Sequence, residues 1–340
     1  MLNDRQACIL KCIIGDYISS ARPVGSQAIA RNSGLGLSSA TIRNEMARLE
    51  EEGYIVRPHI SGGGIPSDKG YRYYVESLGQ ETERTSLDEK LMLAHLFHQV
   101  ERELEEWTRL AAVLLSRTVH NVAVVTFPKE AESRIKHVKL VSLQRSLAML
   151  ILLLHQAKLK QQLITFSEAM TQDELDVISN QFNSLFHDLT WPQIIAQRKR
   201  LSPMEEQVRD SVVHLMAAED EQLYEEPYIE GISNILAQPE FMMRRDMLGV
   251  IGLLERRDVV RAMLHRVLIG DGIRVLIGAE NREDEMKGCS LVVTQYGIPG
   301  RVRGAIGVIG PTRMPYGKAI STVSYMGSLM SNLATEIYSG

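Results

Sequence analysis

Residues 34–66 hold a short amphipathic helix between two sets of glycines, and this constrains the architecture more than any other stretch of the chain. "GLGLS" (34–38) is a tight connection, and Ser38 is placed to cap a helix running from about Ser39 to Glu52, where Gly53 stops it. On a 3.6-residue wheel Ile42, Met46 and Leu49 share one side. Ala40, Thr41, Arg43, Asn44, Ala47 and Arg48 fall opposite or on the flanks. Upstream, Ile9, Leu10, Ile13, Ile14, Tyr17 and Ile18 form an apolar stripe along a helix over residues 3–20, with Asn3 and Gln6 in capping-box positions. "ARPVG" (21–25) breaks that helix, and Ser26 caps a short second one, "QAIARNS". Downstream, "YIVRPHISGGGIPSDKG" places two short extended pieces around Gly62-Gly63-Gly64, which is hairpin chemistry, before Ser67 caps a last short helix.

Helix, helix, turn, helix, hairpin is the order of a winged helix-turn-helix, here expected over residues 1–78. The polar side of the third helix is nearly flat, because positions 40 and 47 are alanine. A flat face of alanine, threonine, asparagine and arginine suits base edges in a major groove. Arginine is a bidentate donor to guanine, asparagine pairs with adenine, and small apolar groups meet the thymine methyl. The candidate contacts are Ser39, Thr41, Arg43 and Asn44 at or near the bases and Arg48 on phosphate. Ser26 and Gln27 are candidates for phosphate at the start of the second helix, and His59, Ser61 and Lys69 for the wing. Taken alone, the third helix reads equally well as a solvated bundle helix; the glycine-bearing turn before it and the hairpin after it favour DNA. Charge adds little: the chain is at −4, with residues 1–78 at +1 and the remainder at −5. Affinity must therefore come from placement and from presenting the head twice in a dimer.

The remainder predicts a divided body. "GQETERTS" (79–86) is polar and charged, as a linker is, and a long amphipathic helix spans Leu87 to about Thr118. "VAVVTF" (122–127) is a strand. "IKHVKLVSL", "LAMLILLLH" and "QQLITF" are β-rich runs parted by short turns, an antiparallel meander. Helical spacing dominates 171–189, 202–219, 241–255 and 257–268; three strands and a long helix from near Tyr316 follow. Two separate sets of strands imply one unit inserted in another. The expected class is α+β multidomain: head 1–78, linker 79–86, a body of 87–128 with 231–340, and an insert of 129–230 carrying a three-stranded antiparallel sheet with helices. An inverted-repeat reader needs a two-fold interface, and the stripes of "TQDELDVISNQFNSLFHDL" and "EEQVRDSVVHLMAAED" lie in a segment able to supply one.

Several functions are excluded. The start shows no cationic lead into an apolar block, and "LAMLILLLH" is too short to span a bilayer as a helix, so a soluble cytoplasmic protein with no membrane association is expected. Cys8, Cys12 and Cys289 are too few and scattered for a disulfide framework or a metal site. "GPTRMPYGKA" (310–319) fails as a phosphate loop: Thr312 stands where glycine is needed and Ala319 follows Lys318. Gly310-Pro311 instead turns a strand into the last helix, with Arg313 fixing the turn. There is no HExxH, no G-x-S-x-G and no arguable catalytic set, so no enzyme, metal or cofactor is expected.

"PVGSQAIA", "GLGLSSATIRNEMARLEEEGYI" and "RPHISGGGIPSDKGYRYY", together with "IGAEN" (277–281) and "GAIGVIGPTRMPYGKAIS" (304–321), resemble the HrcA family of bacterial heat-inducible transcription repressors in order and spacing at both ends of the chain. The resemblance implies a homodimer with a winged-helix head, a GAF-like α/β domain and a dimerising domain inserted into it. It also implies binding to an inverted-repeat operator called CIRCE before chaperone genes, relief on heat stress, and help from the chaperonin GroEL. The wing departs from the family, whose usual alanine-glycine-arginine is here Gly62-Gly63-Gly64, so the expected arginine contact at position 64 is missing. Two rival readings are a winged-helix regulator whose GAF-like body binds a small metabolite and an enzyme carrying a DNA-binding head. A thermal-shift screen of the body separates the first; the second lacks any catalytic set.

Overall fold

The apolar stripe of the first helix decides how the N-terminal segment packs. In the computed structural model, which describes residues 2–32, 34, 36–58, 62–78, 87–98, 104–155, 158–197, 199–221, 224–240, 246–268, 270 and 272–338, α1 (Asp4–Ser20) buries Ile9, Leu10, Ile13 and Ile14. Its start is held by reciprocal bonds: Gln6 N–H donates to Asn3 Oδ1 at 2.9 Å and Asn3 N–H to Gln6 Oε1 at 3.1 Å. Ala21 ends it in a left-handed conformation, φ 53°. The next helix, α2 (Ser26–Asn32), already includes Ser26. The residue before it, Gly25, supplies the carbonyl that receives the Ala28 and Ile29 N–H groups, so Ser26 is not the cap that the sequence predicts. Ser38 caps α3 (Ser39–Glu51), its hydroxyl accepting from Thr41 N–H, and Ile42, Met46 and Leu49 are buried against the stripe of α1. Each such side chain contributes about 1.5–3 kcal/mol of apolar burial. Strands β1 (Ile55–Val56) and β2 (Ile65–Pro66) pair antiparallel, and Ser67 caps α4 (Asp68–Ser77).

The chain continues through α5 (Leu87–His98) and α6 (Leu104–Val119), both within the span where the periodicity predicts a long helix, with residues 99–103 between them outside the described residues. The linker expected at 79–86 also lies outside the described residues. Strand β3 (Val122–Thr126) is buried along its whole length.

From Lys129 to Leu223 the chain forms a second compact unit, which also takes in Pro299–Arg303; the first unit comprises the rest. In the second unit β4 (Lys129–Glu130) pairs with Arg303 and Val302. Strands β5 (Ile135–Gln144), β6 (Leu147–Leu154) and β7 (Leu159–Thr165) make an antiparallel meander. Helices α7 (Gln172–Phe186), α8 (Trp191–Ala196) and α9 (Pro203–Glu221) complete it. One sheet face meets Leu175, Phe182, Phe186, Val208, Val212 and Met216 in a core of its own.

Back in the first unit, β8 (Pro227–Glu230) pairs with β3. This strand of "PYIE" is too short and too polar to announce itself in sequence. After α10 (Ile232–Leu236), α11 (Asp246–Glu255) and α12 (Arg257–Val267) come β9 (Arg274–Ile277), β10 (Cys289–Ile298), β11 (Val302–Pro311) and α13 (Tyr316–Tyr338). The strands lie in the order β8-β3-β11-β10-β9, each antiparallel to its neighbour. Helix α13 covers β10 and packs on α6. The fold is therefore α+β with antiparallel sheets. Among the described residues, no helix is long and apolar enough to cross a membrane.

Candidate nucleic-acid interface

Helix α3 buries one side and presents the other. Ala40, Arg43, Asn44 and Arg48 are exposed, Ser39, Thr41 and Ala47 half-buried. Among the described residues neither Arg43 nor Asn44 has a hydrogen-bond or ion-pair partner, so both are free to bond an incoming group. Arg48 is paired weakly, 3.8 Å from Glu45 Oε2. Thr41 Oγ1 lies 2.9 Å from Ser38 Oγ and belongs to the helix start.

A concavity of about 390 Å³ opens beside this face. It is lined by Gly25, Ser26 and Gln27 at the start of α2, by Arg43 and Met46 of α3, and by Arg57, Gly62 and Gly63 of the hairpin. The hairpin is drawn against the α2 start by a two-way backbone bridge, Val24 N–H to Gly64 O and Gly64 N–H to Val24 O, both 2.9 Å. A Cβ at Gly63 would lie 2.5 Å from the Pro23 carbonyl carbon, which only glycine avoids. Position 64 is buried, and a Cβ there would meet Ile55 Cδ1 at 2.9 Å and Met46 Cε at 3.2 Å. Glycine at 63 and 64 therefore lets this hairpin sit close to the turn before α2.

The expected site residues divide by geometry. Ser26, Gln27 and Arg43 meet around the concavity. Gln27 is exposed, but Ser26 is buried and its hydroxyl is 3.0 Å from Ser39 Oγ, tying the starts of α2 and α3 together. Lys69 stands on α4, donates to the Glu52 carbonyl at 2.7 Å and lies 4.3 Å from the centre of the Tyr54 ring. It closes the C-terminal end of α3, where a cation is favoured by the helix dipole. His59 and Ser61 lie outside the described residues.

Arg57 is the residue that sequence reasoning missed. It lines the concavity with its side chain only 16% exposed and its Nε 3.2 Å from Glu50 Oε2. The available signal was an arginine immediately after β1, on the arm that turns back toward α2. The cysteines take no part in this site; burial pushes the Cys289 thiol up to about 12. Arg313, expected to fix its own turn, instead reaches away from it: Nη1 donates to the Ile18 carbonyl at 2.8 Å and Nη2 to Gln238 Oε1 at 2.8 Å, while Nε pairs with Glu240. Among the described residues there is no group of three His, Cys, Asp or Glu able to hold a metal ion.

An exposed, unpartnered Arg43 and Asn44 on a short helix, with Arg43 lining a concavity, is the arrangement expected of a DNA-binding transcription regulator. Residues 105–320 match the family model described as "HrcA protein C terminal domain". The chain is 46% identical to a heat-inducible transcription repressor HrcA of Dehalococcoides mccartyi strain 195, across 99% of this chain and 97% of that one. It is 39% identical to the protein of the same name from Herpetosiphon aurantiacus, across 99% and 96%. The chain belongs to the HrcA family of heat-inducible transcription repressors. A crystal structure at 2.2 Å resolution, described as a hypothetical protein, has the same fold with 24% identity and a TM-score of 0.63, covering 99% of each chain.

Proposed function

We propose that the protein represses chaperone genes by binding an inverted-repeat, CIRCE-type operator as a homodimer. Residues 1–78 act as a winged helix-turn-helix: α3 enters the major groove and the hairpin follows the flanking backbone. The observation that carries this reading is the exposed, unpartnered Arg43 and Asn44, with Arg43 lining a concavity whose far wall is Arg57. Arg43, Asn44 and Thr41 read or adjoin bases; Arg48, Gln27 and Arg57 hold phosphate; Ser26 and Ser39 set the angle between α2 and α3. Lys69 acts on DNA only through its grip on the end of α3, while His59 and Ser61 complete the wing. The rest of the first unit serves as a GAF-like body that carries the head.

The second unit supplies the two-fold interface. Along β6, Ala148, Leu150, Leu152 and Leu154 are buried, while Leu147, Met149, Ile151 and Leu153 on the other face are only half-buried. Leu159 and Leu163 of β7 extend that second face and are more than half exposed. Antiparallel sheets ordinarily turn a polar face to water. A strand apolar on both sides calls for a cover, and a second copy of the same face is the cover an inverted-repeat reader requires.

Heat relieves repression, and the chaperonin GroEL maintains the active form; both follow the family's behaviour, and the active fraction in gel shifts with and without chaperonin and ATP tests the second. Footprinting on DNA upstream of the organism's chaperone operon tests the whole reading. Protection of two symmetric half-sites is expected, and uniform non-specific protection sinks it.

A further inference from the structure

The two C-terminal stretches that carry the family likeness, 277–281 and 304–321, take no part in the DNA-facing surface. Both instead grip the head from behind. At the start of α4, Asp68 Oδ2 accepts the Ala279 N–H at 2.8 Å. One turn on, the Arg72 guanidinium forks onto Glu280, with Nε 2.8 Å from Oε1, and also donates through Nη2 to the Val275 carbonyl at 2.7 Å. At the far end of α1, Arg313 donates to the Ile18 carbonyl while Glu240 and Gln238 fix its guanidinium. Between these anchors Tyr71 packs on Tyr316 with ring centres 5.7 Å apart, both rings buried.

Three directional anchors at separate points fix an orientation, whereas one ion pair would leave a pivot. Gly278 shows how close the fit is: it has φ +51°, and a Cβ there would fall 2.2 Å from an Asp68 carboxylate oxygen. The reading side of α3 stays exposed while the head is gripped in this way. The seat therefore neither hides the recognition surface nor contributes to it. What it sets is the direction in which that surface points.

We propose that Asp68, Arg72, Glu280 and Arg313 are positioning residues that fix the spacing and phase at which the two heads of the dimer meet DNA, so that operator spacer length is read by the body and not by base contacts. This inference rests on the DNA-binding reading above. Half-sites one helical turn apart face the same side of the duplex, and a change of about 5 bp turns one of them away. A head fixed to its body passes that rotation on to the body; a loosened head absorbs it at the seat.

The test uses the full-length protein and the inverted-repeat duplex that it protects, alongside duplexes with the spacer lengthened by 5 bp and a duplex holding a single half-site. Wild type is expected to lose on the order of 100-fold in affinity on the 5-bp insertion. The variant R72A/R313A is expected to bind the native spacing on the order of tenfold more weakly, to show a spacer ratio near one, and to keep wild-type affinity for the single half-site. E280Q, which retains an oxygen for the Ile277 N–H that Glu280 accepts at 2.9 Å, is the gentler second variant should the double one misfold, and is expected to lower the spacer ratio severalfold. A charge-swapped R72E/E280R pair is expected to recover part of it. Retention of the full spacer ratio by folded R72A/R313A and E280Q overturns the proposal. So does tighter binding at native spacing, which would make the seat a restraint on the head, or a wild type indifferent to the spacer. A wild type that protects no inverted repeat overturns the DNA-binding reading itself.

Discussion

Among the described residues each unit buries one glutamate, and the two are held in opposite ways. Glu219 of the second unit is 2% exposed and sits among three lysines: Lys129 Nζ is 2.9 Å from its Oε1, and Lys158 and Lys160 close on the same carboxylate. Burial alone would raise its pKa, but the hydrogen bonds from Lys158, Lys160 and Lys129 outweigh burial and hold it at about 2. Glu45 of α3 is 7% exposed, yet its partners stand off, Arg5 at 3.7 Å and Arg48 at 3.8 Å, beyond hydrogen-bond reach. The first arrangement is a lock, since a buried charge is tolerable only when fully paired. The second leaves its arginines at the surface and only weakly engaged, which suits the proposed role of this face, in which internal partners give way to phosphates. The difference separates a carboxylate locked by close pairing from one left loosely paired on the face proposed to meet DNA.

The largest expected effect is on the lock. Glu219→Gln leaves three lysine ammoniums around a neutral group and should destabilise the second unit by about 3–5 kcal/mol. Urea unfolding of the full-length protein should then resolve an early step from the second unit. A single unshifted transition would put Glu219 on the same footing as Glu45. The same lock fixes the acid response. Because the folded pKa lies below the ordinary glutamate value of 4.5, its contribution is complete above pH 4.5 and drains away as pH falls toward 2. Next in size is the sheet face of the same unit. If the proposed dimer forms through this face, Met149→Glu with Ile151→Glu should leave a monomer in light scattering and weaken binding to the intact inverted repeat on the order of 100-fold, with half-site binding unchanged. A variant still dimeric at micromolar concentration would move the two-fold interface elsewhere.

What the sequence made legible follows from range. The stripes of α1 and α3 repeat at 3.6 residues, so Ile9, Ile13, Ile42, Met46 and Leu49 are found by spacing alone. The β-rich runs on either side of "LAMLILLL", parted by short polar turns, yield the meander of β5 to β7. Glu45 escaped because periodicity places a residue on a face without saying how a charge there is paired. Strand β8 is four residues long, and its identity comes from β3, over a hundred positions earlier. The seat is least visible of all, since Arg72 and Glu280 are 208 residues apart and neither is unusual in its own neighbourhood. Lys69 was legible as a cation near the hairpin. Its bond to the Glu52 carbonyl depends on how the end of α3 meets α4, which no local pattern encodes.

The remaining predictions concern the face proposed to meet DNA. Arg43→Ala removes a side chain with no internal role, so it should weaken operator binding by about 1–3 kcal/mol with no change in melting temperature. A gel shift at native affinity would strike Arg43 from the interface. The smallest effect, and the most discriminating, belongs to Glu45→Gln. Neither arginine is within hydrogen-bond distance and Arg48 is well exposed, so head stability should fall by less than about 1 kcal/mol. Losing the negative charge also releases Arg48 and should tighten DNA binding about twofold at low salt. If Arg48 then reaches a phosphate that it did not reach before, the plot of log affinity against log salt steepens by up to about 0.9. If Arg48 already contacts phosphate with Glu45 in place, the lines run parallel and the gain is purely electrostatic. A head that loses several kcal/mol on this substitution would show that Glu45 is a lock after all and erase the contrast between the two buried carboxylates.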